Sequence, residues 1–220
     1  MDTSLGRAPL FPLPHGSLLP GELLPLHVFE PRYRRLMEVV RAGDKLLAIA
    51  TIETGWEREA GGEPPLAQVV GVGRVVRDRE NEDGTSDIAV HGLMRGVIAK
   101  ELDNREPFRE AAVMLRPEDS GHPAEAYRLT RHLLGGLDSL LGNKRFRYDL
   151  TESIALGNLV DRIAGGLQLG PDLRARVMQA VELEERVELL LELLRGAKRK
   201  RRLIELLPSL SNYHLGLDEA

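Results

Sequence analysis

Residues 10–40 read LFPLPHGSLLPGELLPLHVFEPRYRRLMEVV, and this stretch decides the fold of the first half of the chain. Its apolar first leg ends at Pro20-Gly21, which predicts a turn because proline presets φ and glycine accepts the positive φ that follows. A second apolar leg covers residues 23–28. Pro31 suits the first position of a helix, where a missing N–H removes no intrahelical bond. The stretch therefore predicts strand, turn, strand and helix, in that order.

The predicted helix has one apolar face. Its apolar residues recur at i, i+3, i+4 and i+7, and they are Tyr33, Leu36, Met37 and Val40. The positions between them are largely arginine and glutamate, which favour solvent. We therefore expect the apolar face to pack against the neighbouring strands.

Further strands are predicted between residues 45 and 117. Residues 45–52 (KLLAIATI) form a continuous apolar run, which is typical of a buried strand. Residues 67–79 and 86–100 read as two long strands. The Asp-Gly step at Asp83-Gly84 between them is a strong hairpin signal. Residues 108–115, bracketed by two prolines, complete the set.

From Pro123 onward the strand signals stop, and the apolar spacing predicts helices only. The predicted helical segments are residues 125–141, 150–167, a helix that opens at 170–172, residues 183–194 and a last basic helix. We therefore expect a β-rich part up to residue 117 and a helical part from 118 to 220.

Together these segments resemble the Lon N-terminal (substrate-binding) domain family over most of the chain. In the opening stretch the resemblance rests on Pro12-Leu13, Leu19-Pro20-Gly21, Pro25-Leu26 and Phe29-Glu30-Pro31-Arg32-Tyr33. It continues in VGVGRVV (70–76), in DGTSDIAVHGLMRGVI (83–98) with Gly92 and Arg95, and in LVDRIAGGLQLGPDLRARVMQAVELEERVELLLELL (159–194). Residues 155–158 depart from it, since family members usually carry a Pro-Gly step there.

The resemblance implies an α+β fold with two parts. The first, residues 1–117, is expected to be a PUA-like β pseudo-barrel. The second, residues 118–220, is expected to be a C-terminal helical bundle with a basic terminal helix.

Composition limits the compartment and the partners. The 220 residues contain no cysteine, which excludes disulfides and fits a reducing compartment. No secretory signal is readable, and no apolar run approaches the roughly 20 residues of a membrane span. We therefore expect a cytoplasmic protein with no membrane partner. The net charge of −4 argues against a surface that binds nucleic acid all round.

No catalytic constellation can be found in the sequence. Gly71-Val72-Gly73 lacks the third glycine of a dinucleotide fingerprint and does not precede a helix. There is no P-loop, no G-x-S-x-G elbow and no paired metal spacing among the six histidines. We predict no enzyme activity, no catalytic residue, no cofactor and no metal. Nothing resembles the motor or protease domains of Lon either, so we expect the recognition module standing alone.

The resemblance implies recognition of protein substrates or partners. Unfolded or degron-bearing polypeptides are the expected clients, and a Lon-type protease is a further candidate partner. Such a surface would expose apolar side chains or an open sheet edge. The candidate substrate-binding residues are Phe29, Arg32, Tyr33, Trp56 and Arg95. Packing inside the barrel is the alternative for each, and the apolar helix face favours it for Tyr33.

Two other functions stay open. The basic run Lys198, Arg199, Lys200, Arg201 and Arg202 could bind RNA through its phosphates in a salt-sensitive way. The alternative is the solvated side of a terminal helix, which the absence of interleaved stacking aromatics favours. A small ligand in a barrel pocket is the third hypothesis.

Overall fold

The computed structural model describes residues 4–14, 16–53, 56, 63–117, 123–141, 145–148, 156–167, 169–195 and 215–218. The strands in this part of the chain are β1 (Ser4–Leu13), β2 (Leu23–Val28), β3 (Leu46–Thr51), β4 (Val69–Glu80), β5 (Ser86–Leu102), β6 (Glu110–Arg116), β7 (Arg145–Tyr148) and β8 (Leu215–Asp218). The helices are α1 (Pro31–Ala42), α2 (Pro123–Leu141), α3 (Leu156–Gly166), α4 (Pro171–Gln179) and α5 (Leu183–Leu194). The predicted α+β class is confirmed.

The chain forms two compact units. The first is Met1–Pro117 with Gly170–Gln179, and the second is Glu118–Leu169 with Ala180–Ala220. Helix α4 therefore belongs to the first unit, although its neighbours in sequence belong to the second. The assignment of residues 1–117 and 118–220 to separate subdomains stays a prediction.

In the first unit the described strands form a six-stranded sheet in the order β2-β5-β4-β3-β1-β6. Strand β6 also pairs with β5, so β5, β4, β3, β1 and β6 form a closed cycle. Strand β5 closes the cycle because it is long, with 17 residues. Its residues 86–91 pair with β2, and its residues 95–102 pair with β6. Strand β2 is thus attached outside the cycle, on the first half of β5.

Strand β3 is buried on both faces, which explains its continuous apolar run. Ala48 and Ala50 join a cluster with β1, β4 and β6, and many of its side chains are alanine or valine. Leu47 and Ile49 point the other way, into a cluster that includes the apolar face of α1. All four predicted residues of that face are buried.

Helix α1 is also held to β4 by charge. The Arg41 guanidinium donates to both oxygens of Asp78, through Nε at 2.7 Å and Nη2 at 2.8 Å. Arg41 Nη2 also donates to the Ser86 hydroxyl at 2.8 Å. The hydrogen bond from Arg41 lowers the pKa of Asp78 and outweighs the opposing effect of burial.

Pro20-Gly21 forms the predicted turn, with Gly21 at φ 78°. Among the described pairings, however, the strands on either side of it do not pair with each other: β1 pairs with β3 and β6, and β2 pairs with β5. The backbone between them lies against two glycines. A Cβ at Gly71 would lie 2.2 Å from the Leu18 carbonyl oxygen, and a Cβ at Gly92 would lie 2.2 Å from that of Leu19. These glycines therefore serve close backbone packing.

The second unit brings its helices together around a buried ion pair. Within it, α5 contacts both α2 and α3. Arg186 on α5 donates through Nη1 to Asp161 on α3 at 3.0 Å, and both side chains are almost fully buried. The expectation of helices alone after Pro123 was wrong, because β7 and β8 pair antiparallel. These strands have only four residues each, too few for a periodic signal. None of the helices in the described ranges is both long and apolar enough to cross a membrane.

Gly92→Ala should lower the free energy of unfolding of the first unit by about 2–3 kcal/mol, because the new methyl group meets a backbone oxygen that cannot swing aside. Urea denaturation measures the change. Gly43→Ala is the matched control, since its Cβ would make only ordinary contacts at 3.6 Å or more. Equal stability of the two variants would contradict the close-packing role.

Arg41→Gln should make stability less sensitive to acid. Because the pKa of Asp78 lies below its unfolded value, the ion pair stabilises the fold above about pH 4 and is lost as pH falls further. The difference in unfolding free energy between wild type and variant should therefore shrink between about pH 5 and pH 2. Urea denaturation at each pH measures it, with exposed Arg116→Gln as the control. A difference that stays constant would exclude this linkage.

Candidate functional site

A cavity of about 850 Å³ lies at the ends of several strands of the first unit. Its walls come from the end of β1, the end of β2, the connection to α1, the first turn of α1, the residues that follow β3, two positions before β4 and one before β6. The lining residues are Phe11, Pro12, Leu13, Pro14, Leu26, His27, Phe29, Glu30, Arg32, Tyr33, Ile52, Glu53, Trp56, Glu63, Pro64 and Arg109. Most of these side chains are apolar or aromatic, as is usual for a ligand pocket.

Four of the five candidate residues lie on this wall: Phe29, Arg32, Tyr33 and Trp56. Phe29 is 59% exposed, which is unusual for a side chain of its size. The turn that carries it is fixed by two hydrogen bonds: Arg34 Nε donates to the Phe29 carbonyl at 3.0 Å, and the Tyr33 N–H donates to the Glu30 carbonyl at 3.0 Å. Phe29 is therefore presented by an ordered turn. Whether these residues bind a substrate stays a prediction.

Tyr33 also lines the cavity, but unlike Phe29 it is buried. It is 6% exposed and stacks on Phe11, with ring centroids 4.3 Å apart and an interplanar angle of 20°. The Arg32 guanidinium carbon lies 4.5 Å from the centroid of the Tyr33 ring, within reach of a cation–π contact. Burial raises the pKa of the Tyr33 hydroxyl, and Arg32 acts in the opposite direction. Tyr33 thus lines the cavity and belongs to the core at once.

The charged groups of the wall are largely paired with one another. Arg109 donates to Glu101 and to the Pro64 carbonyl, and it lies 3.3 Å from Glu63. Arg32 pairs with Glu30 at 2.9 Å. The pairs Arg32–Glu30 and Arg109–Glu63 offset most of the formal charge of the wall.

His27 and Asp87 form another pair at the rim. His27 Nδ1 lies 2.7 Å from Asp87 Oδ1, and its ring stacks on Phe29 with centroids 6.1 Å apart. This hydrogen bond lowers the pKa of Asp87, and a second bond from Asn81 acts in the same direction. The His27 ring therefore contacts the exposed Phe29 ring and links it to Asp87.

Arg95, the fifth candidate, is not among the lining residues. It is 1% exposed, and its guanidinium donates to the last turn of α4: Nε to the Met178 carbonyl at 3.2 Å and Nη2 to the Val177 carbonyl at 2.9 Å. Carbonyls at a helix C-terminus have no intrahelical partner, so Arg95 caps α4. Substrate binding by Arg95 stays a prediction.

Two more side chains hold α4 to the same unit. Gln179 exchanges two hydrogen bonds with the backbone of Val69, donating to its carbonyl at 3.0 Å and accepting from its N–H at 3.2 Å. Arg174 donates to the Ser17 carbonyl and to Glu22. The ends of α4 are therefore fixed by polar contacts that no hydrophobic pattern reveals.

The cavity wall also contains residues that no sequence pattern predicted there: Phe11, Leu26, His27 and Arg109. Phe11 and Arg109 are 98 positions apart, so no local pattern joins them. The run Lys198 to Arg202 lies outside the described residues, and the RNA hypothesis that rests on it stays a prediction. In the ranges that the structure describes, no group of three or more histidine, aspartate or glutamate side chains could hold a metal ion.

A protein-family model matches residues 7–196, and its description is the ATP-dependent protease La (LON) substrate-binding domain. Lon protease 2 of Syntrophobacter fumaroxidans is 28% identical over 184 residues, which are 81% of this chain and 23% of that protein. Lon protease of Brevibacillus choshinensis is 26% identical over 212 residues, or 93% of this chain and 26% of that protein. The chain thus spans about a quarter of the length of the curated relatives it matches.

Solved structures share the fold. The Lon N-terminal domain protein from Xanthomonas campestris aligns with a TM-score of 0.59 and 21% identity, over 86% of this chain and 98% of its own. The N-terminal domain of the Mycobacterium avium complex Lon protease aligns with a TM-score of 0.63 and 16% identity, over 87% and 99%. The resemblance found in the residues is confirmed.

Arg95→Met should weaken the attachment of the C-terminal end of α4 and leave the cavity unchanged, because Arg95 does not line the cavity. The two carbonyls lose their donor, so we expect about 3 kcal/mol less protection of the amides of Pro171–Gln179 from hydrogen exchange. Arg116→Gln, an exposed arginine at the end of β6, is the control. If Arg95→Met instead weakened polypeptide binding and left α4 protected, Arg95 would be a substrate contact.

Proposed function

The chain belongs to the family of ATP-dependent protease La (LON) substrate-binding domains, and on this premise we propose that it recognises protein substrates or partners without catalysis. One observation carries the proposal: a 59% exposed phenylalanine beside a largely apolar cavity of about 850 Å³. An exposed aromatic next to a preformed cavity is typical of a surface that binds apolar groups. The site is therefore suited to an apolar side chain of a polypeptide, with Phe29 closing over it.

An open sheet edge beside the cavity supports an extended polypeptide as the occupant. Among the described pairings, β2 pairs with β5 alone. The Gly92 N–H donates to the Glu22 carbonyl at 2.8 Å, and this sets the hydrogen-bond alternation along β2. The peptide groups of Leu23 and His27 then point away from β5. They are free to pair with an added strand, whose side chains would alternate toward and away from Phe29.

Pro25 limits how such a strand could pair. It lies between Leu23 and His27 on the open edge and has no N–H to donate. An added strand would therefore find acceptors at three positions and donors at two. This pattern lowers self-association of the edge while leaving it open to a partner.

Finer features of the proposal follow from the family. We infer a PUA-like pseudo-barrel, supported by the closed cycle of β5, β4, β3, β1 and β6, together with a C-terminal helical bundle. The clients would be unfolded or degron-bearing polypeptides in the cytoplasm, and a Lon-type protease is a candidate partner.

Phe29→Ala should weaken binding of a fluorescein-labelled, permanently unfolded protein such as casein by roughly five- to thirtyfold, since burial of one aromatic side chain is lost. Fluorescence anisotropy of the full chain at high salt measures it. Tyr127→Ala is the matched control, because Tyr127 is an equally exposed aromatic (55%) in the second unit. Equal losses in the two variants, or none in either, would overturn the proposed site.

A further inference from the structure

Three arginines on β4 have no part in the cavity. Arg74, Arg77 and Arg79 are all exposed. In a regular strand Arg74 and Arg77, three positions apart, would point to opposite faces. The pairing of β4 with β5 shifts register between Val75 and Arg77. This bulge adds one residue to β4, so Arg74 lies on the same face of the sheet as Arg77 and Arg79.

The pairing partners confirm that the three arginines share one face. Arg74 lies opposite His91, Arg77 opposite Ala89 and Arg79 opposite Asp87, so their partners are alternate residues of β5. The intervening residues Val90 and Ile88 point to the other face, into the cluster that includes α1. The arginines therefore form a row along the uncovered face, hereafter the arginine row, with a spacing of about 7 Å.

The carboxylate of Asp87 offsets only part of the positive charge of the arginine row. Within the described part of the chain, no carboxylate forms an ion pair with any of its three guanidinium groups. Asp87 lies opposite Arg79 on β5, and its oxygens accept from His27 at 2.7 Å and from Asn81 at 3.2 Å. The charge of Arg79 also contributes to the lowered pKa of Asp87. Asp78 lies on the opposite face with Arg41. Three like charges thus stand side by side on a chain whose net charge is −4.

The surroundings of the arginine row favour a polypeptide over a nucleic acid. Across β5, the same face of β2 carries Leu23, which is 48% exposed, and Pro25. These offer apolar contacts to side chains. Strands β4 and β5 carry no phenylalanine, tyrosine or tryptophan on which bases could stack beside the arginines.

We propose that the arginine row docks an acidic, extended segment of a partner polypeptide. Side chains on one face of an extended segment repeat every two residues, or about 7 Å, which is the spacing of the arginines. Carboxylates at alternate positions can therefore each meet one guanidinium, and the residues flanking them can contact Leu23 and Pro25. This surface adjoins the cavity along β2, but Arg74, Arg77 and Arg79 do not line the cavity, so the inference does not depend on the function proposed for Phe29.

Fluorescent peptides of about ten residues test this in the full chain. One has glutamate at alternate positions with serine between, and the other has the same composition with the glutamates in one block. Replacing all three arginines (R74Q, R77Q and R79Q) should weaken binding of the alternating peptide roughly ten- to hundredfold at low salt, since three charge pairs are lost. Wild-type binding of this peptide should be tighter than that of the blocked one and should fall with added salt.

The control variant is R105Q, R116Q and R131Q, which makes the same change in net charge at exposed arginines elsewhere. Equal weakening by both triple variants would overturn the proposal, as would tighter binding of an oligouridylate of equal charge to the row. Phe29→Ala tests independence. The alternating peptide should bind this variant as it binds the wild type, whereas binding of the unfolded protein should weaken roughly five- to thirtyfold. Failure of either site is therefore distinguishable from failure of the other.

Discussion

The close approach of one backbone segment to two glycines governs the arrangement of the first unit. The Leu18 and Leu19 carbonyls occupy the space that side chains at Gly71 and Gly92 would fill. Because the segment lies so close, Gly21 and Glu22 can bond to the backbone of Gly92 on β5. That contact sets the register of β2, and the end of β2 sets the position of Phe29 and the start of α1. The position of the cavity therefore depends on the absence of side chains at Gly71 and Gly92.

The buried arginine Arg95 is hydrogen-bonded to carbonyls, whereas the arginines of β4 are exposed to solvent. Arg95 is enclosed, and its guanidinium is used by the helix-end carbonyls of α4. Burying a cation without such acceptors would cost several kcal/mol. The arginines on β4 face solvent and need no partner for stability. An unpaired buried charge would destabilise the fold, whereas an exposed charge is stabilised by water.

Four candidate residues could be selected from the sequence because the resemblance pointed to one short segment and one lone tryptophan. Phe29, Arg32 and Tyr33 are adjacent in the chain, so they had to lie near one another. Trp56 joined them only through folding. Arg95 was selected by the same resemblance but lies under α4, because a motif position marks that a residue matters without saying whether it binds or packs. The basic run from Lys198 to Arg202 lies beyond what the structure describes.

Local patterns in the sequence determined most elements of the first unit: the helix face from Tyr33 to Val40, the buried strand β3, and the hairpin of β4 and β5. Each depends on periodicity or on turn chemistry within about a dozen neighbouring residues. Tertiary structure alone decided which strands pair, that β5 closes the cycle, and that α4 joins the sheet. It also decided that Arg74, Arg77 and Arg79 share a face. A bulge of one residue moves every later side chain of the strand to the opposite face of the sheet. The bulge arises from the pairing between two strands, and this pairing cannot be read from the sequence of one strand.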